Sequence, residues 1–243
     1  MASHPLAILL PPSEGKAAGG KKACWDPYGG AFGAGLGDRR TELVNALAAM
    51  GGGDEKLLGI GGRHLLAAQQ ANERLLKSPT MTAGARYTGV VWDHLDLMSL
   101  PPDARRKATH SIFVLSGLLG AAAVGDPTPD YRLKMSARLA PMGTLSIWWR
   151  AALSQALNDV LARRVVIDML ANEHRSAWIP TPERYRDAVR VTFVERNGKV
   201  AGHDAKAAKG HLARHILLTG GDAIAALHSW RNDRFDLDIT ELA

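Results

Sequence analysis

The apolar run Ala7-Ile8-Leu9-Leu10 stops on two prolines, Pro11-Pro12, and that junction constrains the fold more than any other stretch of the chain. A short run of large aliphatic residues reads as a buried strand, and proline can neither donate to a ladder nor continue one. The chain therefore leaves its sheet at Pro11 and presents Ser13, Glu14 and Lys16 on a loop at the strand's end, where binding and catalytic groups are commonly built. An ordinary strand-exit turn with solvated charges is the alternative reading of the same hexapeptide.

Beyond this strand the pattern alternates between helix-like and strand-like segments. Ala17–Gly37 is so rich in glycine that a loop is expected, and Thr41–Met50 and Leu57–Leu76 read as helices from their paired leucines. Arg86–Trp92 and Ser111–Leu115, β-branched and aromatic, flank a charged helical spacer, Asp103–Thr109, and together suggest a βαβ unit. Leu145–Arg163 reads as a helix and Val165–Leu170 as a buried strand. Val189–Glu195 and Val200 bracket Asn197-Gly198, a hairpin signal, and Lys206–Leu218 reads as an amphipathic helix stopped by Gly220-Gly221. No repeat or low-complexity linker interrupts the chain. The expectation is one α/β domain over residues 1–243, a compact mixed sheet flanked by helices, with a helical insertion at about 38–80.

At 243 residues and 46% hydrophobic the chain has the material for a large core. No window approaches the roughly 18 to 20 apolar residues of a membrane span, and the apolar run after His4 is too short for a signal peptide. A cytoplasmic protein without a membrane partner is expected. The single Cys24 fits a reducing compartment and excludes an internal disulfide. The net charge of +6, with basic clusters at Arg39-Arg40, Arg105-Arg106-Lys107 and Arg163-Arg164, favours a polyanionic partner or a phosphorylated or otherwise anionic small molecule.

Three further patterns carry chemistry. Leu58-Gly59-Ile60-Gly61 followed by Arg63 has the hydrophobe-Gly-hydrophobe-Gly form of a helix-hairpin-helix, in which backbone N–H groups face a DNA phosphate; a plain interhelical turn explains it as well. Arg132 and Lys134 follow a proline-rich tract and, if extended, share one face suited to an anion, or guard an edge strand. Lys206, Lys209 and Arg214 form a basic stripe beside Gly210, which would let another backbone or a ligand come close. His211 and His215, at i, i+4 without an intervening glutamate, are not read as a metal site, and no cofactor is expected.

Taken in order, these segments resemble the YaaA-type peroxide-stress family, most closely its actinobacterial branch. The resemblance rests on Pro11-Pro12-Ser13-Glu14-Gly15-Lys16, Tyr87-Thr88-Gly89-Val90-Val91-Trp92, Ser116-Gly117-Leu118 with Gly120, Tyr131-Arg132 with Met135, Asn172-Glu173 after an apolar strand, and Lys206, Ala208, Lys209, Gly210 and Arg214. It implies a cantaloupe-like α/β fold with a positively charged cleft and a helix-hairpin-helix, and a cytoplasmic protein that binds DNA and limits oxidative damage. The residues depart from the family's pattern at Ala123, Asp130, Lys134 and His174.

The resulting expectation is a monomeric peroxide-stress protein that binds DNA or nucleotides. Lys16, Tyr87, Arg132, Lys206, Lys209 and Arg214 are its candidate ligand contacts, and Gly59, Gly61 and Arg63 its DNA contacts. The rival is an enzyme acting on a nucleobase, nucleotide or amino-acid-like substrate, with Glu14, Ser13 and Glu173 as candidate catalytic groups and Glu14 the preferred base.

Overall fold

The computed structural model describes residues 5–196 and 205–242. In chain order, β1 (Leu6–Leu10) and a short β2 (Lys22–Cys24) precede three helices, α1 (Gly33–Ala49), α2 (Glu55–Leu58) and α3 (Gly62–Glu73). Strand β3 (Pro79–Thr82), helices α4 (Ala83–Arg86), α5 (Val90–Leu95) and α6 (Pro102–Ser111), and strands β4 (Ile112–Ser116) and β5 (Gly120–Ala123) follow. Short strands β6 (Pro127–Thr128), β7 (Arg138–Leu139) and β8 (Gly143–Thr144) lead into α7 (Leu145–Leu161), β9 (Val165–Asp168) and α8 (Asn172–Arg175). The last elements are β10 (Asp187–Glu195), α9 (Ala205–Thr219), α10 (Ala223–Ser229) and β11 (Phe235–Glu241).

Among the described residues, six strands form the main sheet in the order β11-β10-β9-β1-β4-β5. Strand β1 is central and parallel to both neighbours, with Ile8 opposite Ile112 of β4 and Ile167 of β9. All five of its residues are buried, which explains an uninterrupted aliphatic run where a sheet with one wet face would alternate. Helix α6 packs on β1 and against α9, while α7 packs against β5 and α1. Pro11 ends the central strand as its chemistry requires, and the chain turns out of the sheet there.

The expected βαβ unit does not form: α6 and β4 are present, but the strand parallel to β4 is β1, separated from α6 by β2, β3 and α1–α5. Arg86–Trp92, expected as a strand, is instead the end of α4, a turn at Gly89 with φ 100°, and the start of α5. Val91, Trp92 and Leu95 are buried on the helix that packs against α9, so tertiary contact decides against the β propensity of the run. Leu57–Leu76 is not one helix: Gly59, in the left-handed region at φ 62°, closes α2, and α3 begins three residues later. Within the expected loop Ala17–Gly37 lie β2 and the first turn of α1. The Asn197-Gly198 hairpin lies outside the described residues; β10 pairs antiparallel with β11, from Val189 opposite Glu241 to Glu195 opposite Phe235.

Part of the positive charge is structural. Arg40 and Arg86 are 2% and 0% exposed. Arg40 donates to the carbonyls of Leu119 (3.0 Å), Pro27 (2.8 Å), Gly29 (3.0 Å) and Ala121 (2.8 Å), joining α1 to β5. Arg86 donates to the carbonyls of Ala17, Gly19 and Thr128, pinning the segment after the Ser13–Lys16 loop. The fixed, planar set of donors on arginine suits such multiple carbonyl contacts. These charges are unavailable to an outside polyanion.

Candidate functional site at the ends of β1 and β9

The chain passes from β1 to β4 on one side, then returns to place β9 on the other side of β1 and β10 beyond it. Connections therefore reverse direction between β1 and β9, and ligands of open parallel sheets bind beyond the carboxyl ends of the strands at such a switch point. The loops leaving these two strands, Pro11–Gly15 and Leu170–Arg175, line a cleft of about 680 Å³. Its remaining walls come from Thr88–Trp92, Val191–Phe193 and one side of α9, including Ala205, Lys206 and Lys209.

A narrower chamber of about 60 Å³ adjoins the cleft and shares Pro12, Ser13, Glu14, Glu173 and His174 with it. Lys16, Tyr131, Arg132 and Lys134 complete its lining with Leu133. Glu14 accepts from Arg132 Nη2 and Lys134 Nζ, both at 3.0 Å. The Lys134 hydrogen bond, with the charges of Lys134 and Arg132, holds the Glu14 carboxyl below its usual range against the opposing effect of partial burial. Lys16 Nζ donates to the Ser13 carbonyl at 3.1 Å and lies 4.1 Å from the centre of the Tyr131 ring. Tyr131 and Tyr87 are joined through their hydroxyls at 2.8 Å.

In the outer cleft, Lys209 Nζ donates to the Met169 carbonyl at 2.7 Å, just beyond β9. Glu173 Oε2 accepts from Ser136 Oγ at 2.9 Å, and Glu173 Oε1 lies 3.8 Å from His174 Nδ1. That nitrogen is shut from solvent and has no hydrogen-bond partner among the described residues. Burial brings the His174 imidazole to about 4, so it is neutral at pH 7. Beneath the loop, Asp168 is fully buried; it accepts from Arg175 Nε at 2.6 Å and from the Leu170 N–H at 2.8 Å, fixing the turn that carries Glu173 and His174.

Burial lowers the ammonium groups of both Lys16 and Lys209 to about 8. Both are mainly charged at pH 7 and lose their protons as the pH rises through 8. Affinity for an anion in the cleft is therefore expected to fall across about pH 7 to 9, as measured by calorimetric titration with inorganic phosphate. A flat profile would remove both lysines from the set of ligand contacts. Stability changes in the opposite sense. Each folded-state value lies below the ordinary 10.5, so each group's favourable contribution is complete only above 10.5 and is lost as the pH falls towards 8.

Of the residues singled out in the sequence, Ser13, Glu14, Lys16, Arg132, Glu173, Lys206 and Lys209 line the cleft or its chamber. Tyr87 does not: it is 2% exposed and lies behind Lys16, whose backbone bridges to it. Arg214 turns away to donate to the carbonyls of Leu95 and Asp96 at 3.0 and 2.8 Å, closing the end of α5, and borders a different pocket with His211 and His215. Gly59 and Gly61 form the turn between α2 and α3, and Arg63 is exposed on α3. At Gly61 an added Cβ would come 2.9 Å from Glu55 Oε1, so a carboxylate already stands beside the start of α3, where a phosphate would bind. Arg175 and Thr88 are cleft residues that the sequence reading missed. The pairing of Asp168 at the end of an apolar strand with an arginine seven residues later was the available signal for the first.

The family model described as peroxide stress protein YaaA matches residues 6–240. A UPF0246 protein of Streptomyces coelicolor is 36% identical over 220 residues, covering 88% of this chain and 84% of its own. A UPF0246 protein of Corynebacterium glutamicum is 35% identical over 226 residues, covering 90% of this chain and 87% of its own. A match spanning nearly every strand of the sheet and both loops of the cleft makes the chain a member of the peroxide stress protein YaaA family.

Proposed function

We propose that the chain serves peroxide resistance by binding a small anionic molecule of nucleotide size in the switch-point cleft. The observation that carries this reading is a cleft of about 680 Å³ at the ends of β1 and β9 whose lining includes Lys206, Lys209 and Arg175. Nucleotide-sized ligands need a few hundred cubic ångströms and a small number of convergent polar groups. Duplex DNA fits these surroundings less well, because Glu14 and Glu173 also line the cleft, Arg40 and Arg86 are buried, and Glu55 stands at the start of α3.

Isothermal titration with AMP, beside a short duplex at low and high salt, tests this choice. Saturable AMP binding that raises the melting temperature is expected, and Lys206→Ala should weaken it about tenfold, the effect of one charge-assisted contact. Duplex binding with a steep salt dependence and no response to AMP would transfer the function to DNA.

The neutral His174 beside Glu173 favours a second reading, an enzyme that acts on the same molecule with a cleft glutamate as general acid or base. Under that reading Glu173→Gln abolishes turnover of the bound molecule, followed by mass spectrometry, while its affinity stays within about tenfold.

A further inference from the structure

Arg132, one of the chamber's cations, is held more firmly than the anion it faces. Arg132 Nε donates to the Leu58 carbonyl at 3.2 Å, and the Arg132 N–H donates to Asn72 Oδ1 at 2.9 Å. Asn72 is itself buried and returns Nδ2 to the carbonyls of Arg132 at 3.0 Å and Gly52 at 2.7 Å. The α2–α3 insertion thus fixes the arginine from behind. Glu14, by contrast, reaches in from the loop after β1 with its side chain 63% exposed, against 20% for Arg132 and 39% for Lys134. Lys16 shares no carboxylate: among the described residues it has the carbonyls of Ser13 and Glu14 and the faces of Tyr131 and Tyr87.

Building on the ligand reading above, we propose that Lys16, Arg132 and Lys134 form an oxyanion subsite for a carboxylate or phosphate group of the ligand, with Glu14 as an internal stand-in that this group displaces. The space of about 60 Å³ admits such a group, and the adjoining cleft of about 680 Å³ has room for the rest of a larger ligand. Two carboxylates, Glu14 and Glu173, line the chamber with the three cations, and Asp130 also acts on Lys16; with Glu14 swung out, Glu173 is the one carboxylate left in the lining against three cations, and Lys16 has donor capacity to spare. Glu14 lines the outer cleft as well, so swinging its side chain outward clears the chamber and leaves the loop backbone in place. A tethered carboxylate competes with a free one at a high effective concentration, so removing its charge strengthens binding of the outside anion.

Calorimetric titration of the full chain with inorganic phosphate and, separately, with acetate tests the proposal. Glu14→Gln should bind one of the two about tenfold more tightly than the wild type, and the anion that gains identifies the group the subsite takes. Glu14→Asp, which keeps the charge and shortens the reach, should fall between them, and adding Lys16→Gln to Glu14→Gln should remove the gain. Unchanged or weaker binding of both anions by folded Glu14→Gln, or no binding of either, overturns the stand-in. AMP binding retained without any gain for phosphate or acetate would keep the cleft reading and remove this one. Tighter phosphate binding in a chain indifferent to AMP would do the reverse.

Discussion

Gly210→Val is expected to cost about 3 kcal/mol or more and to lower the melting temperature by about 6 to 12 °C. A Cβ at this position would lie 2.3 Å from the Val91 carbonyl oxygen and 2.8 Å from both His94 Cβ and the Leu95 nitrogen. Two of these three atoms are backbone, so no rotamer change relieves the clash, and α9 has to move away from α5. That helix pair is the most extensive helix–helix contact of the fold, and α9 also buries Ala208, Leu212 and Ile216. A displaced α9 carries Lys206 and Lys209 with it, so AMP affinity should fall together with stability. Leu218→Val, at an exposed position near the end of the same helix, supplies the control and should change stability by no more than about 0.5 kcal/mol. If the two variants melt alike, close backbone approach is not what requires glycine at 210.

The same contact explains why one element was illegible in the sequence. Tyr87-Thr88-Gly89-Val90-Val91-Trp92 has strand-like composition, and a short apolar run cannot be assigned by periodicity. What makes Val90–Leu95 helical is its packing against α9, more than a hundred residues later, through a glycine that exposes the backbone of α9. By contrast, β1 was legible because an aliphatic run of this length ending in Pro-Pro has few other uses. The shared face of Arg132 and Lys134 followed from their spacing, and both do reach one carboxylate; that this carboxylate is Glu14 depends on a fold bringing together residues 118 apart.

The basic stripe on α9 was legible only in part. At about 100° per residue, Arg214 lies about 140° from Lys209 around the helix, enough to turn it from the cleft to the end of α5. Net charge overstates the cations that a partner can reach. Composition counts a guanidinium equally whether it faces water or, like those of Arg40 and Arg86, is surrounded by carbonyls in the core.

Asp168→Ala should be about as damaging to the fold as Gly210→Val and more specific to the cleft. The carboxylate is fully buried at the end of β9, with Arg175 Nε at 2.6 Å, Arg190 Nε at 3.7 Å and the Leu170 N–H at 2.8 Å. Removing it leaves two partly buried guanidiniums without their counter-charge and exposes Lys209 to their repulsion. Breaking a buried pair by deleting one partner typically costs about 3 to 5 kcal/mol, or about 6 to 20 °C in a chain of this size. Arg175 also donates to the Leu170 carbonyl and to Asn172 Oδ1, both at 2.9 Å, so losing its anchor loosens the whole turn bearing Glu173 and His174. Asp168→Asn separates the two effects. Its amide oxygen can still accept from Leu170 and keep the turn's shape, but it carries no charge for the arginines. Stability should therefore be intermediate, and AMP affinity, measured well below the melting point, should be closer to that of the wild type than to that of Asp168→Ala. Asn and Ala variants that bind AMP equally weakly would mean that the charge of Asp168 positions the cleft loop. A melting temperature within 1 °C of the wild type for Asp168→Ala would mean that the buried network contributes nothing.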